Sequence, residues 1–499
     1  MTIATLLDLL PADRVITDPS RLVSYAHDDA EWAPSAPPLA VVRPRSTDEV
    51  ATLVRWCRDH AVPVVPRGAG TGLSGGANAT AGSVVVSFEA MTAIREIDQR
   101  ERLAVVEPGV VNDDLRAEAA RHGLWYPPDP ASSPWSTIGG NVATNAGGVC
   151  CVKYGVTGDY VLGLEVVTGT GEVVRLGRRT AKGVAGLDLC SLMVGSEGTL
   201  GIITEITLRL RPSRPAERTI AGQFEDVSAA GRAVAAIGAS GVIPSALELV
   251  DRHCLEAVDR WKNMGLAVDA GALLLARVDS AGATGDHESA TILAAMEGAG
   301  ATFAALSTDD DEAEALFAAR RLAYPALERL GPVLTEDVCV PMGAVPEMLD
   351  RIVATGERHG VLIANIAHAG DGNLHPLLIV PADDPAATSA AQAAFEDIIG
   401  DALDLGGTVT GEHGVGLLKR PGLTREVSPV VAAMQHAVKR ALDPHDILNP
   451  GKALPDVPAE RELSHLPAPG PTPAPDAQNA LPNPAPTLVL DDESLEDPR

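Results

Sequence analysis

Apolar residues come in short runs, among them 62–65 (VPVV), 84–88 (VVVSF) and 161–167 (VLGLEVV), bounded by glycine-rich or charged segments. Runs of this length between turn residues predict buried strands. A helical period intervenes after Ser46, where Val50, Leu53, Val54 and Cys57 form an apolar stripe. Ser46 or Thr47 can cap that helix, and Asp48 and Glu49 favour its positive end. Residues 161–168, the turn GTG at 169–171, and 172–176 predict a hairpin. From 219 to about 442 the pattern changes to longer, alanine-rich helices separated by strands such as 272–278 and 361–367. The segment RPSRP at 211–215 reads as a linker, because two prolines break either kind of element.

These patterns give an α+β chain of two folded parts, 1–214 and 215–454, followed by a Pro/Ala-rich and then acidic tail at 455–499. Such a tail buries too little apolar area to offset its ordering entropy and is expected to be disordered. Within it, 487–490 (TLVL) is a small apolar patch.

With 67 acidic and 39 basic residues among 499, the formal charge is −28, which disfavours nucleic acid and docking on anionic lipid by charge. The opening MTIATLLDLLP has no basic residue before Arg14, and no run reaches the ~18 apolar residues of a membrane span. A cytoplasmic protein is expected, with any membrane association made through a partner. Cys57, Cys150, Cys151, Cys190, Cys254 and Cys339 form no CxxC pair. Reduced, mostly buried thiols are expected, and no iron–sulfur cluster.

Candidate chemistry begins at 65–80, VPRGAGTGLSGGANAT, with five glycines between Arg67 and Gly76. A side-chain-free loop leaving a strand lets backbone N–H groups crowd around a pyrophosphate. The same loop contains a formal GxGxxG at 70–75, with Glu89 where a Rossmann ribose acid would fall. A Rossmann unit does not fit, because only 77–82 remain before the next strand, too few for a crossover helix. Two further glycine segments follow, STIGGNVATNAGG at 136–148 and GSEGTLG at 195–201. Three such loops suit one long cofactor. Later, His368 and His375 flank a Gly-Asp-Gly-Asn turn, so their imidazoles can converge from adjoining strands, and Glu412-His413 sits in a glycine-flanked GEHG. Two His and one Glu form a ligand set for Zn²⁺ or a similar divalent ion.

The strings RGAGTGLSGG, IGGNVATNAGG, KYG and VGSEGTLGIITEITLRLRP closely resemble the FAD domain of the vanillyl-alcohol oxidase/p-cresol methylhydroxylase superfamily. Within it, the chain is similar to the branch holding the glycolate oxidase FAD-linked subunit and D-lactate dehydrogenase. The resemblance implies a non-Rossmann, two-part FAD-binding domain and a C-terminal substrate domain. It places the FAD pyrophosphate on Arg67, Gly68, Gly70, Thr71, Gly72, Ser74, Gly75 and Gly76. The remainder is lined by Asp129, Ser136, Thr137, Gly139, Gly140, Asn141, Asn145, Gly147, Gly148, Glu197, Gly198, Ile202 and Asn449. The first loop has no His, Cys or Tyr to tether flavin, so FAD is expected to be dissociable.

The pattern HxGDGNxH with GEHG implies His368, His375 and Glu412 as metal ligands. His413, beside Glu412, is the candidate general base, and Arg320 stands where the family carries a substrate-carboxylate arginine. The other reading of Arg320 is a helix-end cation. Relatives that act on D-2-hydroxyglutarate have a lysine at Thr335 and an asparagine at Leu377. The expected substrate is therefore D-lactate or glycolate, with D-2-hydroxyglutarate, or a metal-dependent hydrolysis using the same three ligands, as alternatives. No nicotinamide fingerprint remains, so electrons are expected to leave to a quinone, a cytochrome, an electron-transfer flavoprotein or an iron–sulfur subunit. A homodimer is compatible with the chain.

Overall fold

The computed structural model describes residues 3–456 apart from 181, 215, 267–268, 308–309 and 383; the predicted tail beyond Asp456, including 487–490, lies outside the described residues. The chain opens with a four-stranded sheet of β1 (Val15–Ile16), β2 (Ala40–Val42), β3 (Val64–Arg67) and β4 (Val84–Ser87), in spatial order β1-β2-β4-β3. Both β2 and β3 run parallel to β4. Residues 68–83 are thus a parallel crossover made without a helix, which is why the GxGxxG string is not a Rossmann turn. Glu89 instead pairs with Arg43 at 3.1 Å.

The helix Thr47–His60 packs on this sheet. Ser46 Oγ caps it by accepting the Glu49 N–H at 3.3 Å. Val50, Leu53, Val54 and Cys57 are fully buried, and each large aliphatic side chain so placed contributes about 1.5–3 kcal/mol.

A second, antiparallel sheet follows: β5 (Ile94–Asp98), β6 (Leu103–Val106) and, after the short β7 (Leu124–Trp125), β8 (Val161–Val167), β9 (Val173–Gly177) and β10 (Ile202–Arg209), ordered β5-β6-β10-β8-β9. The predicted hairpin is β8–β9, closed by Thr168 N–H donating to Glu172 O at 2.9 Å. The predicted linker is not free of regular structure. Arg211–Pro212 forms β11, paired antiparallel with β7, a two-residue edge where proline's missing N–H is tolerated.

The third sheet has eight antiparallel strands: β12 (Arg218–Phe224), β13 (Ala246–Asp251), β14 (Ala272–Val278), β15 (Phe303–Leu306), β16 (Val333–Thr335), β17 (Val338–Cys339), β18 (Leu362–His368) and β19 (Asn373–Ile379). Its order is β15-β12-β14-β13-β18-β19-β16, with β17 also on β19. One face packs on helices Val227–Ala239, Gly282–Gly298, Val345–His359 and Pro385–Asp404. The other packs on Arg252–Lys262 and Asp310–Leu327. Side chains alternate across a strand, so Glu248, His368, His375 and Thr335 share this second face with Val250, Ile366, Leu377 and Val333. The chain then returns to the first sheet, where Val64 N–H donates to Ile447 O at 2.7 Å and Asn449 N–H to Val64 O at 2.8 Å.

Among the described residues no helix is long and apolar enough to cross a membrane. All six cysteines are free thiols. Burial pushes every one of them up, Cys190 and Cys339 to about 11. A thiol-specific disulfide reagent at pH 8 is therefore expected to leave the native protein almost unlabelled over minutes and to titrate all six once it is denatured. Rapid native labelling of Cys57 or Cys254 would contradict the packing described.

Candidate active site

His368 ends β18 and His375 lies in β19, joined by the turn Ala369–Asp371 and Gly372. The strands' register sets Ile366 opposite His375 and His368 opposite Asn373, so both imidazoles emerge from one face. Their rings are 5.2 Å apart and nearly perpendicular. His368 Nδ1 meets Glu248 Oε1 at 2.7 Å, and His375 Nδ1 lies 3.4 Å from Asp337 Oδ1. Both Nε2 atoms sit 3.3 Å from Glu412 Oε1. The Glu248 carboxylate behind Nδ1 turns the Nε2 of His368 outward as a ligand, the usual way a metal-binding histidine is oriented, whereas Asp337 stands behind His375 as a charged neighbour without a hydrogen bond. His413 stacks on His375 at 4.9 Å, with its Nε2 3.7 Å from the same Glu412 oxygen.

The loop carrying Glu412 and His413 has little regular structure and depends on anchors. Asp337 Oδ2 accepts the N–H groups of Gly411, Glu412 and His413 at 3.0, 3.0 and 2.8 Å, and the Thr410 hydroxyl at 2.6 Å. Lys419 Nζ stands 3.6 Å from that oxygen and 3.5 Å from Glu336 Oε2. Successive amides around one anion form a nest, here with a cation behind it.

The far side of the loop is held by the amino-terminal part. Ser74 Oγ donates to Gly414 O at 2.7 Å and Ser74 O accepts the Leu417 N–H at 2.7 Å. Glu197 accepts the N–H groups of Val415 and Gly416. A β-carbon on Gly147 would lie 2.6 Å from Glu412 Oε2. The second glycine loop therefore abuts the carboxylate between the histidines.

Electrostatics separates the groups. Burial opposes the charge of His368, but Glu248 and Glu412 outweigh it and hold the ring well above its ordinary value. Glu412 also resists burial, because His368 and His375 hold it well below the usual carboxylate range. Burial pushes His413 down to about 4 against the pull of Asp337, and pushes Asp371 and Glu336 up to about 7. Asp337 is held low despite its burial, by His413, Lys419 and His375.

Arg320 is not at a helix end. It lies inside Asp310–Leu327, with Nε 2.9 Å from Glu248 Oε2, so Arg320, Glu248 and His368 form a chain. Asp337, His375, Glu412 and His413 each offer a ligand atom within 4.8 Å of the others. Asp337 Oδ2 already accepts from four donors while its Oδ1 has no hydrogen-bond partner, and the Nε2 atoms of His368 and His375 converge on the carboxylate of Glu412. That set fits a divalent cation in donor type and in orientation.

Around the expected flavin cradle, the predicted residues divide into two groups. Gly68, Gly70, Thr71, Gly72 and Gly75 line the crossover, with Arg67 turned back to donate to His27 O at 2.8 Å. Thr137 caps Ile138–Thr144 by accepting the Gly140 N–H at 3.3 Å, with Gly139 and Asn141 in the same helix. Ser136 Oγ and Asn141 Nδ2 are buried without a protein partner, polar atoms of the kind a flavin cofactor would satisfy. The other residues are taken up by the protein. Asn145 Oδ1 accepts the Gly158 N–H at 2.8 Å, and Asp129 accepts the Cys150 N–H at 3.0 Å with Gly148 packed against it. Gly198 packs on Pro66. Asn449 Nδ2 donates to the carbonyls of Gly76 and Glu197 at 2.9 and 2.7 Å. The Ile202 side chain packs into the hydrophobic core, in one cluster with Val64 and Val167.

Sequence reading missed Glu248, Asp337 and Lys419. An acid in the middle of the largely apolar ALELVD, and paired acids before the apolar VCV, were the available signals.

Residues 214–453 match the family described as FAD linked oxidases, C-terminal domain, and residues 38–177 match the FAD binding domain. The glycolate oxidase subunit GlcD of Bacillus subtilis (strain 168) is 41% identical over 433 residues, covering 87% of this chain and 92% of that protein. A D-lactate dehydrogenase of Anaerostipes hadrus is 35% identical over 441 residues, covering 86% and 92%. The solved structure of p-cresol methylhydroxylase with substrate bound aligns with a TM-score of 0.75 at 18% identity, over 91% of this chain and 96% of that one, which shows a shared fold. The chain belongs to the FAD-linked oxidase family and is an FAD-linked oxidoreductase.

Proposed function

We propose that the protein oxidises a small 2-hydroxy acid, D-lactate or glycolate, to the 2-oxo acid and passes the electrons to a quinone, cytochrome, electron-transfer flavoprotein or iron–sulfur partner. The observation that carries this is the approach of Gly147, in the second glycine loop, to Glu412 between the two histidines. In this reading residues 1–214 bind FAD and 215–454 hold the substrate. When bound, FAD supplies a hydride acceptor, and a divalent cation on His368, His375 and Glu412 supplies Lewis acidity toward the substrate hydroxyl.

The chain's own groups do the rest. His413 is neutral near pH 7 because burial keeps its ring low, so it is free to accept the hydroxyl proton. Asp337, 4.0 Å from its Nδ1, stabilises the imidazolium that forms. Arg320, steadied by Glu248, pairs with the substrate carboxylate through its remaining guanidinium nitrogens. Thr335 and Leu377 face each other in register on β16 and β19 and bring no cation to a second carboxylate. Burying such a charge unpaired costs several kcal/mol, which favours monocarboxylates over D-2-hydroxyglutarate. A hydrolase could use the same three ligands, but it would have no use for the unpartnered Ser136 and Asn141 atoms in the neighbouring loop.

In an anaerobic titration, D-lactate or glycolate is expected to bleach the flavin absorbance at far lower concentration than D-2-hydroxyglutarate; a colourless purified protein, or equal bleaching by the dicarboxylate, would reverse the reading. His413→Ala is expected to keep FAD while flavin reduction slows by about 10²–10⁴-fold. Near-normal reduction would remove His413 from the base role. Because His368 is held protonated through neutrality by its two carboxylates, cation binding must release that proton. Affinity for Zn²⁺ or Mn²⁺ is then expected to climb about tenfold per pH unit across the neutral range, measured by calorimetry in buffers of different ionisation enthalpy. A pH-independent affinity would place the cation elsewhere.

A further inference from the structure

Glu197 has a φ of 49°, a left-handed backbone that a side chain disfavours and that persists only where the surroundings enforce it. Its buried carboxylate reaches across to the catalytic loop. Oε1 accepts the Val415 N–H at 2.7 Å and Oε2 the Gly416 N–H at 2.9 Å. Two glycines pack closely on it: a β-carbon on Gly76 would lie 2.9 Å from Oε2, and one on Gly414, whose φ of 82° already favours glycine, 3.0 Å from Oε1. The Glu197 carbonyl and the Gly76 carbonyl share the Asn449 amide. The first glycine loop, the third glycine loop, the Glu412–His413 loop and the carboxy-terminal turn thus meet at one residue.

We propose that Glu197 is a positioning residue that makes the flavin cradle and the Glu412–His413 loop one cooperative unit. This rests on the functional reading above and extends it. FAD in the cradle fixes Glu197, Glu197 fixes the loop, and the loop presents Glu412 to the cation. By linkage, each cofactor then raises the affinity for the other by the same factor. Glutamine at this position offers one acceptor and turns an NH₂ group toward the second amide donor, so it breaks the link without removing bulk.

The test compares the full-length wild type with Glu197→Gln, each with and without FAD. Amide hydrogen exchange across 410–418 is expected to accelerate in the FAD-loaded variant while FAD still binds. Mn²⁺ affinity, read by electron paramagnetic resonance, is expected to weaken by about 10–100-fold in the FAD-loaded variant. Stripping FAD from the wild type should produce a similar loss, and in the variant should change little. Glu197→Asp, whose carboxylate reaches only one amide, should fall between the two. Loss of FAD from Glu197→Gln with 410–418 still protected would make Glu197 a flavin ligand and overturn the proposal, as would a wild-type Mn²⁺ affinity indifferent to FAD. A wild type that binds no Mn²⁺ under any condition would defeat the metal reading, and unchanged exchange at 410–418 would then defeat the role of Glu197 as well.

Discussion

The chemistry of this site depends on buried carboxylates that capture the backbone of one short loop. Residues 411–416 include three glycines, and a glycine-rich turn loses more entropy on ordering than any other segment of its length. Asp337 takes the N–H groups of Gly411, Glu412 and His413 on one side, and Glu197 takes those of Val415 and Gly416 on the other. Hydrogen bonds to a charged acceptor are each worth about 1.5–3 kcal/mol, so a few of them offset the ordering cost of so small a loop. Lys419, within 3.6 Å of Asp337, compensates part of the price of burying that anion.

With the loop fixed, the sheet completes the constellation. Glu248 fixes His368 by a hydrogen bond and Asp337 stands as a charged neighbour behind His375, and both imidazoles turn Nε2 toward Glu412. The strand register makes this automatic. His368 and His375 fall on one face because each keeps the parity of Ile366 and Leu377, and Glu248 joins them because β13 pairs with β18 directly, with Glu248 opposite His368. Buried acids outnumber the buried fixed cations Arg320 and Lys419 in this region. A site with that excess favours whatever further positive charge it can admit, a proton or a metal ion.

What could be read from the chain alone follows the range of the interactions. The Ser46 cap, the apolar stripe of the first helix and the β8–β9 hairpin are local, and their residues announce them. The convergence of His368 and His375 was also legible, since a Gly-Asp-Gly-Asn turn between two apolar runs forces the chain back on itself. Glu248 and Asp337 were not, because their partners lie 120 and 76 residues away. No spacing rule connects them. The resemblance named Ser74, Glu197 and Asn449 as flavin neighbours, yet their side chains bond to protein around the cradle. A motif marks residues that a function needs, without separating those that touch the cofactor from those that shape the space for it.

The same distinction bears on why two parts of the chain build one site. Hydride removal and proton removal from a 2-hydroxy acid act on adjacent atoms, so the group that receives the hydride and the groups that receive the proton must be held within a bond length or two of fixed positions. If each sat in an independently moving part, that geometry would be sampled only in passing. Here the loop bearing His413 has backbone partners in both parts: Asp337 in the segment between β16 and β17, and Ser74 and Glu197 beside the first two sheets. A displacement of the large sheet relative to the glycine loops therefore has to break charge-assisted bonds before it can separate His413 from those loops, so the backbone of the Glu412–His413 loop itself ties the two parts together.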